Sequence, residues 1–291
     1  MSRDAERDPS SPTAGQSEEG AARLSGFAAQ LASARAAGGP AADSAGQPWA
    51  GRQFDENAFE ADDGSAQSQL IAALAAFRSG AAGAEAVVDA LRDARLLVPL
   101  MAELGDSGTT GDGLLVDKSQ ELSLVTVEGP DGRTVQPVFS SVDAMRRWNP
   151  QARPVPVEGM RVALAAASEG TELVVLDPTS DTEFVVRRPA LWAMARREAW
   201  IPSDRDPRVI EAFTSSSASE LGVHGVQLLA GDPDARLAAE ELVVRLTLTS
   251  GLTQTELDAI LGRLARRWAA DDTIATRVDS LRVQLTASEQ E

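Results

Sequence analysis

The chain has 291 residues, of which 43% are apolar and only 4% aromatic, so its core must be mainly aliphatic. The formal net charge of -17 disfavours binding to nucleic-acid phosphates and to anionic membrane surfaces. Cys is absent and His224 is the only His, which excludes disulfides, thiol nucleophiles and metal sites built from Cys or several His within one chain.

The length is sufficient for about two domains. No apolar run reaches the roughly 20 residues that a membrane-spanning helix needs. The opening sequence, MSRDAERDP, lacks the apolar core of a signal peptide. We therefore predict a cytoplasmic protein with no membrane partner.

Residues 1–66 are rich in Ala, Gly, Ser, Pro and acidic side chains, and their few apolar residues keep no period. Such a segment buries too little surface to offset the entropy of ordering it. We predict a disordered acidic tail. Trp49, Phe54 and Phe59 interrupt it, and they either dock on a partner or pack loosely on the chain's own body, which we favour.

Residues 67–200 are predicted to form the first α+β domain. Apolar residues over 70–77 and 87–91 have helical spacing. Residues 96–101 form a short apolar run that predicts a buried strand, and the Gly-rich segment 105–113 predicts a loop.

A hairpin is predicted over residues 122–139, because residues 122–128 alternate and Gly129 to Gly132 have turn chemistry. Pro137 lacks an N–H donor, which predicts an edge position or a bulge. Ser140 is predicted to cap the next helix together with Asp143.

A further helix is predicted to bury Met160, Leu164 and Ala167 and to end near Gly170. Strands at 172–176 and 184–186 follow. A helix is then expected to begin at Pro189, because Pro suits the first helical turn.

Residues 201–208 contain two Pro and two Asp and predict a linker. A smaller α+β domain is expected over 209–287. Its strands are predicted at the ranges 209–214, 221–229, 242–249 and 281–285. Thr253 and Glu256 form a capping box for an amphipathic helix that ends near Trp268. The fold class is therefore α+β, with two small two-layer domains, each a sheet with helices mainly on one face.

Two segments, PVFSSVDAMRRW at 137–148 and EGTELVVLDP at 169–178, resemble the strand-to-helix and strand-to-Pro segments of SseB N-terminal domains. With the two leading helices, the resemblance covers roughly residues 67–200. The family pattern more often has Asn where this chain has Asp177. The resemblance implies an α+β domain without an agreed activity, cofactor or catalytic residue, so no functional residue is carried over.

The candidate catalytic and ligand-binding motifs are weak. His224 follows the Ser-rich segment 215–219, but there is no Gly-x-Ser-x-Gly elbow. The loop 105–113 lacks the ending of a phosphate-binding P-loop. Its stronger interpretation is a surface loop. We predict no catalytic residue, cofactor or metal site from these patterns.

Acidic pairs at Asp62–Asp63, Asp232–Asp234 and Glu240–Glu241 match no calcium loop and are expected to be solvated. Carboxylates that meet only in the fold stay an open alternative, because acid pairs in hydrolases need no fixed spacing.

Arg pairs recur at 146–147, 187–188, 196–197 and 266–267 and mostly predict outward helix faces and ion pairs. The best interface candidate combines Trp192, Arg196, Arg197 and Trp200, since Trp and Arg are frequent interface anchors. Trp49 in the tail is a further candidate.

Three functions are consistent with these observations. The first is a non-catalytic interaction or regulatory module of SseB type, whose partner is a protein or small ligand and not a nucleic acid. The second is a hydrolase-like enzyme with fold-assembled acidic residues. The third is a structural component that forms homo-oligomers. We favour the first, because no pattern specifies a reaction.

Overall fold

The computed structural model describes residues 62–102, 122–124, 126–129 and 131–288, which contain helices and strands in the predicted α+β arrangement. The first group of elements is α1 Ser68–Arg78, α2 Ala84–Asp93, β1 Arg95–Ala102, β2 Leu122–Leu124, β3 Val127–Glu128, β4 Thr134–Val138, α3 Val142–Trp148, β5 Arg153–Glu158, α4 Gly159–Glu169, β6 Leu173–Leu176, β7 Phe184–Arg187 and α5 Arg188–Arg196. The second group is α6 Pro207–Ser217, β8 Val223–Ala230, β9 Leu242–Leu248, α7 Gln254–Ala269, α8 Asp272–Arg277 and β10 Leu281–Ala287. In this part of the chain, no helix is both long and apolar enough to cross a membrane.

The described strands form three sheets, with the orders β2-β1-β5, β3-β4-β6-β7 and β10-β9-β8. Strand β4 is parallel to β6, and β9 is parallel to β10. Leu97 and Phe139 exchange backbone hydrogen bonds of 2.8 and 2.9 Å, which join the first two sheets.

Strands β6 and β7 are buried along their whole length. One sheet face packs on α1, α2, α4 and α5. The other face carries Leu173, Val175 and Val185, which pack against Leu237 from the loop 231–241. This loop also accepts a hydrogen bond from the Val185 N–H at the Ala235 carbonyl, at 2.8 Å. Burial on both faces explains the uninterrupted apolar runs in these two strands.

Several predicted local signals are confirmed. Gly170 ends α4 with φ of 71°, in the left-handed region that favours Gly. Thr253 and Glu256 form the capping box of α7. Pro137 is in register with Val175 of β6, and β4 lies between β3 and β6, so the predicted edge position or bulge at Pro137 stays a prediction.

The single strand predicted over residues 122–128 is wrong, because β2 pairs with β1 while β3 pairs with β4 in another sheet. Ser140 does not cap α3. Ser141 does, and its side chain accepts a hydrogen bond from the Ala144 N–H at 3.1 Å. The predicted cap is wrong by one residue because Ser140 and Ser141 carry the same hydroxyl, and either can accept a hydrogen bond at a helix start.

The predicted buried face of α4 is also wrong. The helix buries Val162, Ala163 and Ala166, while Leu164 is 48% exposed. Packing against α2 and α5 favours the small Ala side chains, since they allow close approach of the helices. Periodicity alone gave too much weight to the larger apolar residue.

The strand predicted over residues 209–214 belongs to α6. Asp206 caps this helix by accepting from the Arg208 N–H at 2.9 Å, and Pro207 occupies its first turn. Strand β5 was not predicted, because Pro154 and Pro156 argue against a central strand. It lies at the edge of its sheet, where Pro is tolerated.

The predicted tail lies outside the described residues up to residue 61, and so does the loop 105–113. Contacts with the body begin before the predicted boundary at residue 67, since the Asp62 carboxylate lies 2.8 Å from the Arg95 guanidinium. The predicted linker 201–208 contains the buried residues Ser203 and Asp206. The division into domains at 67–200 and 209–287 stays a prediction.

Candidate functional site

One face of α5 carries basic and aromatic side chains at intervals of four residues. The guanidinium carbons of Arg188 and Arg196 lie 5.4 and 5.9 Å from the ring centroid of Trp192. At these distances, a cation is attracted by the electrons of the ring. Arg188 also lies 3.5 Å from the Glu172 carboxylate, whereas Arg196 is exposed. We call Arg188, Trp192 and Arg196 the α5 row.

The other predicted interface residues are dispersed. Arg197 ends α5 in the left-handed conformation, with φ of 58°, and its Nε lies 2.9 Å from the sulfur of Met160. Trp200 packs against the core beneath α1 and α2 and lines a cleft. Trp49 lies outside the described residues. The structure thus brings Trp192 and Arg196 together but directs Arg197 and Trp200 elsewhere.

The cleft has a volume of about 270 Å³ and lies between the first helices and β7 on one side and residues 200–205 and 230–241 on the other. Its walls combine large apolar side chains with charged ones, as small-molecule sites do. The large apolar residues are Phe77, Val88, Phe184 and Trp200, and the charged residues are Arg187, Asp204, Arg205, Asp232 and Glu241.

A buried ion-pair cluster, which we call the Arg187 cluster, lies beside the cleft. Arg187 donates from Nη2 to the Asp232 carboxylate at 2.7 Å and from Nη1 to the Asp279 carboxylate at 3.1 Å. The side chains of Arg187, Asp232 and Asp279 are 8%, 3% and 1% exposed. Removing Arg187 would leave the buried Asp232 without this counter-ion, whereas Asp279 would keep Arg133 at 3.0 Å. The cluster therefore fixes the end of β7 to the loop after β8 and to the start of β10.

Glu241 lies next to this cluster and lines the cleft. Its carboxylate accepts a hydrogen bond from the Asp279 N–H at 2.6 Å. Burial raises the pKa of Glu241 to about 7, and the Asp279 charge adds to the rise, while hydrogen bonds from Asp279 and Ser203 and the Arg187 charge oppose it. A perturbed pKa in a cleft marks a candidate functional residue. The position immediately before the buried strand β9 is the sequence signal that could have identified it.

A second buried polar cluster lies where the parallel strands β4 and β6 end. The Asp177 carboxylate accepts hydrogen bonds from the Ser140 N–H at 2.8 Å, the Ser140 hydroxyl at 2.6 Å and the Thr182 hydroxyl at 2.7 Å. Asp177 is 1% exposed and has φ of 45°. Sequence reasoning missed this site, although Ser140 and Asp177 directly follow predicted apolar strands. We call Ser140, Asp177 and Thr182 the Asp177 cluster.

The structure places His224 beside a Thr hydroxyl. Its Nε2 lies 2.9 Å from the Thr249 hydroxyl, and Ser215 to Ser217 belong to α6. Within the residues that the structure describes, no group of three or more His, Cys, Asp or Glu side chains could hold a metal ion. Of the acidic pairs, one carboxylate from each of Asp232–Asp234 and Glu240–Glu241 reaches the cleft.

Comparison with known protein families matches residues 70–193 to the model of the SseB protein N-terminal domain. No curated protein and no solved structure matches the chain. The matched segment contains Asp177, Arg187 and Trp192. Asp232, Glu241 and Asp279 come from later in the chain, so the cleft is only partly built from the matched segment.

Proposed function

The chain belongs to the SseB family through residues 70–193, and from this premise we propose that it is a non-catalytic interaction module that binds a protein partner through the α5 row. The observation that carries this proposal is the exposed cation of Arg196 beside the half-buried indole of Trp192. Trp and Arg are enriched among the residues that contribute most to binding energy at interfaces.

The chemistry of the α5 row favours an acidic partner segment with an apolar side chain. Carboxylates would pair with the guanidinium of Arg196, and the apolar group would cover the ring of Trp192. The formal net charge of -17 makes nucleic acid an unfavourable partner for the chain as a whole. A cytoplasmic location is part of the same proposal.

The absence of catalysis is proposed because the buried acids make fixed internal contacts. Asp232 accepts from Arg187 and from the Leu237 N–H at 2.8 Å, and Glu241 accepts from Asp279. A general base needs a free lone pair directed at a substrate proton. These carboxylates instead hold the ends of strands and loops together.

The proposal is tested by affinity purification of the tagged full chain from its native cell extract, followed by binding measurements with each recovered protein. Wild type is compared with Arg196→Glu and Trp192→Ala. The control is Arg266→Glu, which makes the same charge change at an exposed position of α7. We expect at least one partner whose affinity falls roughly tenfold or more in both α5 variants, a loss of about 1.4 kcal/mol, but not in the control.

The affinity of this partner should also fall with added salt, because the proposed contacts lie at the surface. Recovery of the same proteins at the same affinity with Arg196→Glu would remove the α5 row from the proposal. Substrate turnover by the purified chain would contradict its non-catalytic part.

A second candidate, an enzyme with fold-assembled acids, is favoured by one observation. Asp232 and Glu241 line the same cleft, and burial raises the pKa of Glu241 to about 7, where a carboxyl group can act as acid or base. Hydrolysis of model ester, phosphate or glycoside substrates that disappears in Glu241→Gln but persists in Glu240→Gln would support this candidate over the first.

A further inference from the structure

We propose that β10 pairs with β10 of a second copy of this chain. The two strands run antiparallel about a two-fold axis at Gln284 and join two three-stranded sheets into one sheet of six strands. This inference is independent of the α5 row and of the cleft. It rests on the unpaired edge of β10 and on the apolar side chains beside that edge.

Strand β10 forms one edge of the sheet β10-β9-β8. At its two ends, the Leu242 N–H donates to the Ser280 carbonyl at 3.1 Å, and the Ser288 N–H donates to the Leu248 carbonyl at 2.8 Å. The N–H and C=O of one residue point to the same side of a strand, and the side alternates, so even-numbered residues bond to β9. The odd-numbered residues direct their N–H and C=O away from the sheet, and no described residue pairs with these groups. They are Leu281, Val283, Leu285 and Ala287.

The apolar core beside this sheet covers β9 but leaves β10 partly bare. Val283 and Leu285 are in register with Val244 and Leu246 of β9, so all four side chains point to the same face. Val244 and Leu246 are completely buried, whereas Val283 is 37% exposed and Leu285 is 41% exposed. The core therefore ends one strand short of the sheet edge, and apolar side chains placed beside β10 would extend it.

A second copy supplies both the backbone groups and the side chains that this edge needs. With the axis at Gln284, Val283 lies opposite Leu285 of the second copy, and Leu281 lies opposite its Ala287. All outward N–H and C=O groups of both strands then find partners, and the exposed apolar side chains of the two copies form one cluster. An axis at residue 283 or 285 would leave Ala287 or Leu281 without an opposite strand residue.

The edge lacks the features by which proteins usually prevent such pairing. Residues 281–287 are in continuous register with β9, without a bulge and without Pro. The one charged side chain of β10, Arg282, points to the other face and lies 3.8 Å from Glu240 of its own chain. In the proposed pair, Arg282 is opposite the neutral Thr286, and the two copies of Arg282 are about 14 Å apart. This distance exceeds the Debye length of about 8 Å at physiological ionic strength, so like charges do not oppose the pairing.

The charge of the whole chain sets the expected salt dependence. Each copy has a formal net charge of -17, so two copies repel each other at long range. Added salt screens this repulsion, while the hydrogen bonds and apolar contacts of the paired edge remain. The dimer should therefore become more stable with salt, whereas binding at the α5 row should become weaker.

The first test is sedimentation velocity of the full chain over roughly 1 µM to 1 mM, at low and at high salt. Wild type is compared with Leu285→Arg, which places a charge in the apolar cluster. The control is Leu221→Arg, which makes the same change at a side chain that is 98% exposed. Melting temperatures establish that the variants are folded. We expect a dimer in wild type and in the control, and a dissociation constant at least roughly tenfold higher in Leu285→Arg.

The second test determines the register. The chain contains no Cys, so a single introduced Cys reports its own neighbour. Gln284 is exposed and would lie opposite itself with Cα atoms about 4.5 Å apart, within the range of roughly 4.4–6.8 Å that a disulfide allows. We expect Gln284→Cys to form a disulfide-linked dimer under mild oxidation. The control Arg282→Cys, at another exposed position of β10, should not form one, because its two copies lie about 14 Å apart.

Three results would overturn the proposal. The first is a monomer at every concentration, and protection of the outward β10 amides from hydrogen exchange in that monomer would assign the edge to another segment of this chain. The second is a dimer that Leu285→Arg does not weaken. The third is a dimer that Arg282→Cys cross-links as readily as Gln284→Cys does.

Discussion

The two buried polar clusters differ in the source of their hydrogen-bond donors and charges. In the Asp177 cluster, one carboxylate accepts from a backbone N–H and two hydroxyls, all within the matched segment 70–193. In the Arg187 cluster, one guanidinium lies between two carboxylates from distant parts of the chain, with Glu241 close by.

The difference indicates what each cluster contributes. Neutral donors on neighbouring segments satisfy the Asp177 carboxylate, so this cluster holds the ends of two adjacent strands in place. The Arg187 cluster balances charges between segments that are far apart in sequence, and Glu241 lies beside it with a pKa that burial raises to about 7. We therefore expect Asp177 to stabilise the two strand ends, and Glu241 to make the stability of the protein depend on pH.

The largest expected effect is that of Arg187→Ala. It leaves Asp232 buried without this counter-ion, while Asp279 keeps Arg133 at 3.0 Å. Breaking a buried ion pair in this way typically lowers the free energy of unfolding by about 3–5 kcal/mol. Urea unfolding measures the loss. The control is Arg245→Ala, a β9 residue whose guanidinium contacts the neutral Gln227 and Gln284. Similar losses in both variants would mean that the buried ion pairs contribute no more to the free energy of unfolding than exposed contacts do.

The next effect is that of Asp177→Ala, which removes three hydrogen bonds and leaves the Ser140 N–H and hydroxyl buried without an acceptor. We expect a loss of about 3 kcal/mol in urea unfolding. Asp177→Asn should lose less than about 1 kcal/mol, because Asn keeps an acceptor oxygen and tolerates a φ of 45°. The SseB family pattern also more often has Asn where this chain has Asp177. Equal losses for Ala and Asn would contradict a hydrogen-bonding role.

Glu241→Gln tests how the region of Arg187 and Glu241 makes the free energy of unfolding depend on pH. The pKa of Glu241 rises from 4.5 to about 7 on folding. Below pH 4.5 both states hold the proton. As pH rises towards 7, the carboxyl group of residue 241 loses its proton first in the unfolded chain. The contribution of Glu241 to the wild-type free energy of unfolding therefore falls, and it levels off above pH 7.

Gln has no such titration. We therefore expect the stability of Glu241→Gln relative to wild type to rise by about 2 kcal/mol between these pH values, measured by urea unfolding across the range. Glu240→Gln is the matched control, for which the difference should stay nearly constant with pH. A constant difference for Glu241→Gln as well would show that Glu241 ionises at its ordinary pKa.

The sequence predicted those parts of the fold that depend on local chemistry. The capping box of α7, the C-terminal Gly170 of α4 and the apolar strands β6 and β7 follow from a few neighbouring residues. Where tertiary packing decides, the prediction failed. Residues 122–128 divide between two sheets, and α4 turns its Ala face inward because other helices approach it there.

The candidate site was less predictable than the fold. Trp192 and Arg196 lie four apart on one helix, so their proximity follows from helical spacing. Asp177 and Ser140 are 37 residues apart, and Arg187 and Asp279 are 92 apart. Contacts of this kind depend on strand order and loop path. A pattern of residue types carries no information about them, and the raised pKa of Glu241 follows from the same long-range burial.

The smallest expected effect is that of Thr253→Ala. It tests whether burial or the number of hydrogen bonds determines the loss in the free energy of unfolding. Thr253 and Glu256 make three contacts, of 2.7, 2.8 and 3.3 Å, as many as the Asp177 carboxylate makes, but both residues are exposed. Water replaces the lost partners at an exposed helix start, so Thr253→Ala should lower the free energy of unfolding by only about 1 kcal/mol. Thr253→Ser, which keeps the cap, is the control, and urea unfolding is again the measurement. A loss for Thr253→Ala as large as that for Asp177→Ala would mean that hydrogen-bond number outweighs burial in this protein.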